Sequence, residues 1–157
     1  MTEETERDAL QLQDFLTFRL AKVQARLNAQ AIRILKDTAG ISLSQWRVIA
    51  VVGAGGENTV LAADIKRVMG YDKGLFSRTL HRLIEQGFVT SQTDTGDQRR
   101  QALALTETGK ALFDRTLPIM QARQHSLRSA LEQDELDALC SGLEKLEAEV
   151  DRQGQAA

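Results

Sequence analysis

Cysteine, proline and aromatic residues are all scarce in this chain of 157 residues. The single cysteine, Cys140, excludes an internal disulfide framework. The single proline, Pro118, favours long helices, because each proline inside a helix removes a backbone donor. With aromatic residues at only 4%, the core must be built mainly from leucine, alanine, valine and isoleucine.

Long apolar runs are also missing. No stretch approaches the roughly 20 apolar residues that a membrane-spanning helix requires. The opening stretch, MTEETERDALQLQDF, is acidic and polar, which does not fit a signal peptide. Apolar content of 42% and charged content of 27% are ordinary for a globular protein. We therefore expect one cytoplasmic domain, or one intertwined unit, with no membrane contact.

Two consecutive helices are indicated between residues 61 and 87. The first has apolar residues at helical spacing, namely Leu61, Ile65 and Val68. Gly70 is a typical end for it. Asp72 suits the N-cap of a second helix over residues 73–86, which Gly87 ends. The buried face of this second helix is predicted to consist of Phe76, Leu80 and Leu83.

A β-hairpin is predicted directly after the two helices. Strand-like runs cover residues 88–93 and 101–105, and the intervening DTGDQRR at 94–100 is typical of a turn. Residues 59–60 are candidates for a short third strand. Helix, turn, helix and hairpin is the order of a winged helix-turn-helix, which reads DNA through its second helix. The predicted fold class is therefore mainly α with a small β-hairpin wing.

The outward side of the second helix is predicted to be small or basic, which allows close approach to base edges and phosphates. It carries Lys73, Gly74, Ser77, Arg78, His81 and Arg82. Arg99 and Arg100 at the hairpin tip suit a minor groove or the DNA backbone. The alternative is a solvated helix face and a solvated turn. The ordered frame of helices and hairpin favours double-stranded DNA as the partner.

Charge is distributed unevenly, although the net charge is only −2. Residues 61–101 contain seven Lys or Arg and five Asp or Glu, a net charge of +2, and the remaining residues carry −4. An acidic scaffold is repelled by phosphate, so only the basic middle region is expected to dock on DNA.

Four motifs resemble those of the MarR family of bacterial winged helix-turn-helix transcription regulators. DKGLFSRTL at 72–80 resembles the family's D-R-S-T-V-T-R-x-V, and LIEQGFV at 83–89 resembles L-E-x-x-G-L-V. DQR at 97–99 followed by LTETG at 105–109 is similar to D-x-R…L-T-x-x-G. SQWRVI at 44–49 is similar to Q-[WF]-x-[VL]-L.

This resemblance implies a DNA-binding transcription regulator, with a repressor relieved by a small ligand as the expectation. Arg99 stands where the family has an arginine that reaches DNA, and Asp97 is placed to orient its guanidinium. Gly74 and Leu75 depart from the family pattern, in which small hydroxyl residues are usual. The departure concerns which bases are read rather than the fold.

The flanking segments are predicted to form long helices, one over residues 9–36 and a last one from residue 133 with a heptad-like seam. The apolar stripes of both helices are wider than the small winged helix-turn-helix region between them can bury. This predicts that a second subunit covers them in a homodimer; packing within one subunit is the alternative. The predicted dimerisation residues are Leu12, Leu16, Leu136, Leu139, Leu143, Leu146 and Val150. The corresponding division is a dimerisation helix at 1–40, a winged helix-turn-helix region at 41–109 and dimerisation helices at 110–157, all within one intertwined domain.

Further helices connect these parts. Ser42 or Ser44 is a candidate cap for a helix over residues 45–52, and Thr106 for the helix after the wing, in which Pro118 is expected to produce a kink. The glycine-rich loop at 53–58 lacks a following Lys-Ser/Thr and a preceding strand, so no nucleotide site is expected there.

The resemblance also implies an effector pocket between the terminal helices and the reader region, for a small aromatic or anionic ligand. The residues implied for it are Phe15, Phe18, Arg19 and Trp46. An arginine beside aromatic rings can hold a carboxylate. Core packing of Phe15 and Trp46 is the alternative.

Cys140 is predicted to be a packing cysteine, because its neighbours are acidic and apolar rather than cationic. A thiol-based redox regulator using Cys140 is one alternative function, and a protein-interaction module that kept the fold without binding DNA is another. His81 and His125 are isolated, so no metal site is expected. No arrangement of residues suggests catalysis, and we expect no cofactor and no enzyme.

Overall fold

The computed structural model describes residues 14–70, 72–94 and 97–155, without the side chains of residues 93–100 and 155. Its elements are α1 (Leu16–Thr38), α2 (Leu43–Ala54), β1 (Val60–Leu61), α3 (Ala62–Met69), α4 (Lys73–Glu85), β2 (Val89–Asp94), β3 (Asp97–Leu105), α5 (Glu107–Arg128) and α6 (Gln133–Gln155). The strands form one antiparallel sheet in the order β1-β3-β2. The predicted fold class, mainly α with a small wing, is confirmed. None of these helices is long and apolar enough to cross a membrane.

The chain divides into two compact units, one ending at Thr116 and the other beginning at Leu117. The boundary falls within α5, which continues as a helix through Pro118. The first unit contains the helix-turn-helix, the sheet and the largest fully buried side chains, among them Leu35, Ile49, Ile65, Leu83 and Leu103. The division into 1–40, 41–109 and 110–157 stays a prediction.

The start of α2 is closed by a capping box. The Ser42 hydroxyl accepts from the backbone N–H of Gln45 at 3.1 Å, and Gln45 Oε1 accepts from the backbone N–H of Ser42 at 2.9 Å. Ser42, rather than Ser44, is therefore the cap. Gln45 is buried, and its Nε2 donates to Oε1 of Gln86 at 2.5 Å. This hydrogen bond joins the beginning of α2 to the end of α4.

Gly53 lies inside α2, although the sequence placed it in a loop. A Cβ atom at this position would be 2.6 Å from Cδ2 of Phe113. The Phe113 ring also stacks on Trp46, with centroids 6.2 Å apart and an angle of 21° between the planes. The glycine therefore allows α5 to pack closely against α2.

The inward face of α3 differs from the prediction. Leu61 belongs to β1 and forms the N-cap of α3, which buries Ala62 and Ile65. Val68 is 71% exposed, so its predicted place on the buried face is wrong. The reason is that α3 begins at Ala62, whose side of the helix is shared by the residues three and seven positions later, Ile65 and Met69. Val68 does not lie on that side.

The hairpin is longer than predicted. β3 begins at Asp97, and Asp94 pairs with Asp97, after a register shift between Thr93 and Asp94. The prediction of a turn over residues 94–100 is therefore wrong, because the strand ladder extends almost to Thr95 and Gly96, which lie outside the described residues. The third strand is confirmed in β1, where Val60 pairs with Leu103.

The base of the wing, the end of α4 and the start of α5 meet at one point. The Thr106 hydroxyl donates to the carbonyl oxygen of Gly87 at 2.5 Å and accepts from the backbone N–H of Gly109 at 2.9 Å. The backbone N–H of Thr106 donates to the carbonyl oxygen of Phe88 at 3.1 Å. A Cβ atom at Gly109 would overlap with that same Phe88 oxygen. The LTETG motif therefore joins three elements, and its glycine is required by the close approach of Phe88.

Both terminal helices expose apolar side chains. In α1 only Ala31 and Leu35 are buried, and large apolar residues along its remaining length are exposed, namely Leu16, Phe18, Leu20, Val23 and Ile32. In α6 no described residue is buried, and the exposed apolar residues include Leu139, Leu143 and Val150. Leu136 and Leu146 are half-buried, and Leu12 lies outside the described residues.

Candidate nucleic-acid interface

The reader helix, α4, starts at a charged cap. Asp72 Oδ1 accepts from the backbone N–H of Leu75 at 2.8 Å, as the sequence predicted. This hydrogen bond is the main cause that lowers the pKa of Asp72 below its usual 3.8, with a smaller contribution from the positive charge of Arg78. Because the shift is downward, the carboxylate stabilises the folded protein at neutral pH, and this contribution is lost as the pH falls through the lowered pKa.

The two faces of α4 separate cleanly by polarity. Phe76, Leu80 and Leu83 are buried as predicted, and Thr79 is buried with them. Five of the proposed DNA-contacting residues on this helix are exposed: Lys73, Ser77, Arg78, His81 and Arg82. Gly74 is half-buried. The helix therefore presents four basic side chains and one hydroxyl to solvent, all on one short amphipathic segment that is well anchored in the core.

Arg78 and Asp72 converge on Gly74. A Cβ atom at Gly74 would lie 3.1 Å from Nη1 of Arg78 and 3.2 Å from Oδ1 of Asp72. Both groups therefore lie beside the first turn of α4. The missing side chain at position 74 leaves the space that this arrangement occupies.

A groove of about 480 Å³ runs beside α4. Its polar lining comes from Lys66 of α3, from Gln101 of β3, and from Lys73, Ser77 and His81 of α4. Nε2 of His81 also lies 3.2 Å from Oε1 of Glu85 on the same helix. Lys66 was not among the predicted site residues, because the α3–α4 turn that brings it beside α4 cannot be read from helical spacing alone.

The wing residues lie on a strand. Asp97, Arg99 and Arg100 belong to β3 rather than to a hairpin loop, which corrects their predicted setting. Their side chains lie outside the described part of the chain.

Known proteins share both the sequence and this arrangement. The model of the MarR family matches residues 39–100. The HTH-type transcriptional regulator BilQ of Clostridium symbiosum is 27% identical over 109 residues, which cover 68% of this chain and 73% of BilQ. A crystal structure of a MarR/EmrR family transcriptional regulator from Acinetobacter sp. ADP1 is 26% identical, with a TM-score of 0.79, and the match covers 90% of this chain and 98% of that one. The chain therefore resembles the MarR family in both sequence and fold.

The MarR fold extends to more distant structures. The S. aureus MepR–DNA complex is 18% identical to this chain, with a TM-score of 0.78 and coverage of 86% and 98% of the two chains. At that identity the likeness concerns the fold alone. The MarR resemblance drawn from the four sequence motifs is thus confirmed.

The four residues predicted for an effector site lie in two separate places. Trp46 is buried against Phe113, and it lines a groove of about 360 Å³ together with Arg47, Ala50, Val51, Val68 and Met69. Phe15, Phe18 and Arg19 are exposed at the beginning of α1. Arg47 was not in the predicted set, and its Nη2 donates to Oδ1 of Asn28 at 3.3 Å. The predicted effector site stays a prediction.

Cys140 is exposed on α6, which is not the packing position expected from its sequence context. It lies one residue beyond Leu139, so its side chain projects from a different side of the helix than the apolar seam. Among the residues that the structure describes, no group of three or more histidine, cysteine, aspartate or glutamate side chains is arranged to hold a metal ion.

Proposed function

We propose that this MarR-family protein acts in the cytoplasm as a homodimeric repressor, which binds a pseudo-palindromic operator and is released by a small ligand. The observation that carries the proposal is the exposed face of α4, where Lys73, Ser77, Arg78 and Arg82 stand opposite a fully buried apolar face. A helix of this kind, capped at its N-terminus and followed by a wing, enters a major groove with its N-terminal side chains toward the base edges.

Charge supports docking through this face alone. The basic middle region carries +2 and the rest of the chain −4. DNA phosphates attract the basic middle region and repel the acidic remainder of the chain. The electrostatic field therefore orients the protein before it contacts DNA. The groove beside α4 adds Lys66 to the basic set.

The homodimer rests on the exposed apolar residues of the terminal helices. Leu16 and Val23 in α1 are each more than half exposed, and Val150 in α6 is 67% exposed. Large exposed apolar patches mark sites of protein–protein interaction. A second copy of the chain would cover the exposed apolar residues of both helices. It would also place two reader helices in successive major grooves, about ten base pairs apart.

Ligand response follows from the dimer. A ligand that binds best when the two reader helices have a spacing unsuited to DNA shifts the dimer toward that spacing. The ligand thereby lowers the affinity for the operator, and by linkage DNA lowers the affinity for the ligand by the same factor. Phe15, Phe18, Arg19 and Trp46 are the residues proposed to hold a small aromatic or anionic effector. A phenolic carboxylate such as 2-hydroxybenzoate is the first compound to test.

The decisive experiment selects bound fragments from the source genome at defined salt. We expect enrichment of fragments that share an inverted repeat, and footprints that cover both half-sites. Recovery of fragments without any shared sequence, at an affinity no better than that for scrambled DNA, would reject the function. It would favour a protein-interaction module instead.

Arg78 and Arg82 are expected to have different tasks. Arg78 lies in the second turn of α4, where side chains face bases, and a bidentate arginine–guanine contact discriminates by roughly 1–3 kcal/mol. Arg82 lies one turn later and is expected to contact phosphate, which adds affinity without sequence information. Arg78→Ala should reduce the difference between the selected site and a site altered at one position of each half. Arg82→Ala should weaken both complexes alike and reduce the salt slope by about one unit.

Titration of both variants against the two sites at two salt concentrations measures this division of labour. Gly74→Leu is a third variant in the same series; it should leave the free protein as stable or more stable and impair binding. Equal loss of affinity for Arg78→Ala and Arg82→Ala on every sequence would show that neither residue reads bases.

The wing is expected to contribute through Arg99. Arg99→Ala should weaken DNA binding with the fold intact, because a cation at the wing contacts the backbone or the minor groove. Asp97→Ala should weaken it as well, although it removes a negative charge, if the carboxylate orients the guanidinium. Fluorescence anisotropy with a labelled operator measures both. Tighter binding by Asp97→Ala would reject the orienting role.

A further inference from the structure

We infer that Gln45 is a positioning residue for DNA recognition, because its side chain fastens the C-terminal end of the reader helix α4 to α2. The inference rests on the proposed function and adds to it a residue outside the exposed face of α4. Gln45 is buried in the first turn of α2, so it acts through Gln86, the C-cap residue of α4.

The orientation of the Gln45 amide is determined by the backbone of α2. The N–H of Ser42 can only donate, so the amide oxygen of Gln45 faces it, at 2.9 Å. The amide nitrogen of Gln45 then faces Gln86 and donates to its Oε1 at 2.5 Å. Because a buried amide requires partners for its polar atoms, both bonds hold the Gln45 side chain in one orientation.

The C-terminal end of α4 is fastened on two sides. Gln86 joins it to α2, and the Thr106 hydroxyl donates to the carbonyl oxygen of Gly87 from the side of α5. The apolar packing of the buried face of α4 is non-directional. A hydrogen bond, in contrast, requires a defined distance and angle. The bond between Gln45 and Gln86 therefore restricts the angle between α4 and α2.

A small change in that angle has a large effect at the other end of α4, where base contacts are proposed. The helix has 13 residues and is therefore about 20 Å long. A rotation of roughly 5° about its C-terminal end would move its N-terminal residues by about 2 Å. Productive contacts tolerate only about 0.5 Å, whereas phosphate contacts carry no sequence information. Loss of the bond should therefore lower the affinity for the operator more than the affinity for scrambled DNA.

Three variants separate the bond from the capping box and from charge. Gln86→Met removes the acceptor and leaves the capping box of α2 intact. Gln86→Glu keeps an acceptor for the amide nitrogen of Gln45. Gln45→Glu keeps both bonds, because one carboxylate oxygen accepts from Ser42 and Gln86 can turn its amide to donate to the other. The two glutamate variants are therefore the matched controls.

The first test measures the affinities of these variants for the selected operator and for a scrambled duplex of equal length and composition. The ratio of the two affinities should fall about 2- to 10-fold in Gln86→Met, the range that one hydrogen bond contributes. Both glutamate variants should keep the original ratio, since their added charge weakens binding to every duplex alike. Circular dichroism at the assay temperature verifies that each variant is folded. A lower Tm of Gln86→Met with an unchanged ratio would mean a structural role only and would overturn the inference.

The second test needs no DNA. Residual dipolar couplings of the backbone N–H groups in α2 and α4 measure the angle between the two helices in the full-length protein. Gln86→Met should change this angle by roughly 5°, the rotation that displaces the N-terminal end of α4 by more than a base contact tolerates. Gln86→Glu should leave the angle unchanged. The same angle in all three proteins would overturn the inference. If the protein selects no DNA sequence at all, the proposed function fails, and the dipolar couplings still decide whether Gln45 positions α4.

Discussion

Gly109→Ala is expected to destabilise the winged-helix region strongly, although alanine is the better helix former. Helix propensity alone predicts a gain of about 1 kcal/mol at this position in α5. The added Cβ atom, however, would overlap with the carbonyl oxygen of Phe88, which is backbone and cannot rotate away. Overpacking of this kind costs about 1–3 kcal/mol or more, which corresponds to a fall in Tm of roughly 5–10 °C for a chain of this length.

Thermal unfolding followed by circular dichroism measures this effect. Gly154→Ala is the matched control, because it is the same substitution in a helix with no atom within 4 Å of the added carbon. The control should retain or slightly exceed the stability of the original protein. A Gly109→Ala variant as stable as Gly154→Ala would contradict the close approach of α5 to Phe88. DNA binding should be lost together with the fold, because Thr106 and Gly109 hold the end of α4 and the base of the wing.

Replacement of Leu139 and Leu143 by glutamate is expected to abolish the proposed homodimer. Both residues belong to the heptad-like seam of α6 and are exposed in the single chain. Burial of two carboxylates in an apolar interface costs several kcal/mol, so association at micromolar concentration should disappear. Operator affinity should fall at least 100-fold, because each monomer then contacts one half-site without the gain from the second.

Sedimentation measures the assembly directly. Ala138→Glu with Ala148→Glu is the control: it adds the same two charges to α6 at exposed positions away from the seam. The control should remain dimeric. Deletion of everything after Gln133 should give unfolded or aggregated protein, since the apolar stripe would lose the cover that the proposed homodimer supplies. A monodisperse, well-folded monomer from that truncation would show that the terminal helices do not form the interface.

Most of the reader region was predictable because its signals are local. The carboxylate of Asp72 caps α4, Phe76, Leu80 and Leu83 form its buried face, and Gly87 ends it with a positive φ of 72°. Such features depend on residues within one or two turns of each other. The candidate site on α4 was predictable for the same reason, since the outward residues of a helix follow from its inward ones.

Other parts of the site depended on distant residues. The length of the wing was underestimated, because strand pairing, rather than composition, extends β3 back to Asp97. Val68 was assigned to the wrong face of α3, because Leu61 belongs to strand β1 and the helix begins one residue later, at Ala62. Lys66 and Arg47 were missed as groove residues, since each meets its neighbours only through packing.

The sequence by itself determined the order of the elements, the caps and ends of the reader helix, and the resemblance to the MarR family through four motifs in order along the chain. The tertiary structure alone decided which glycines are irreplaceable. Gly53 and Gly109 are required by Phe113 and Phe88, which are distant in sequence. The physical reason is that caps and periodicity arise within one helical turn, whereas close contacts arise only when separate elements are brought together.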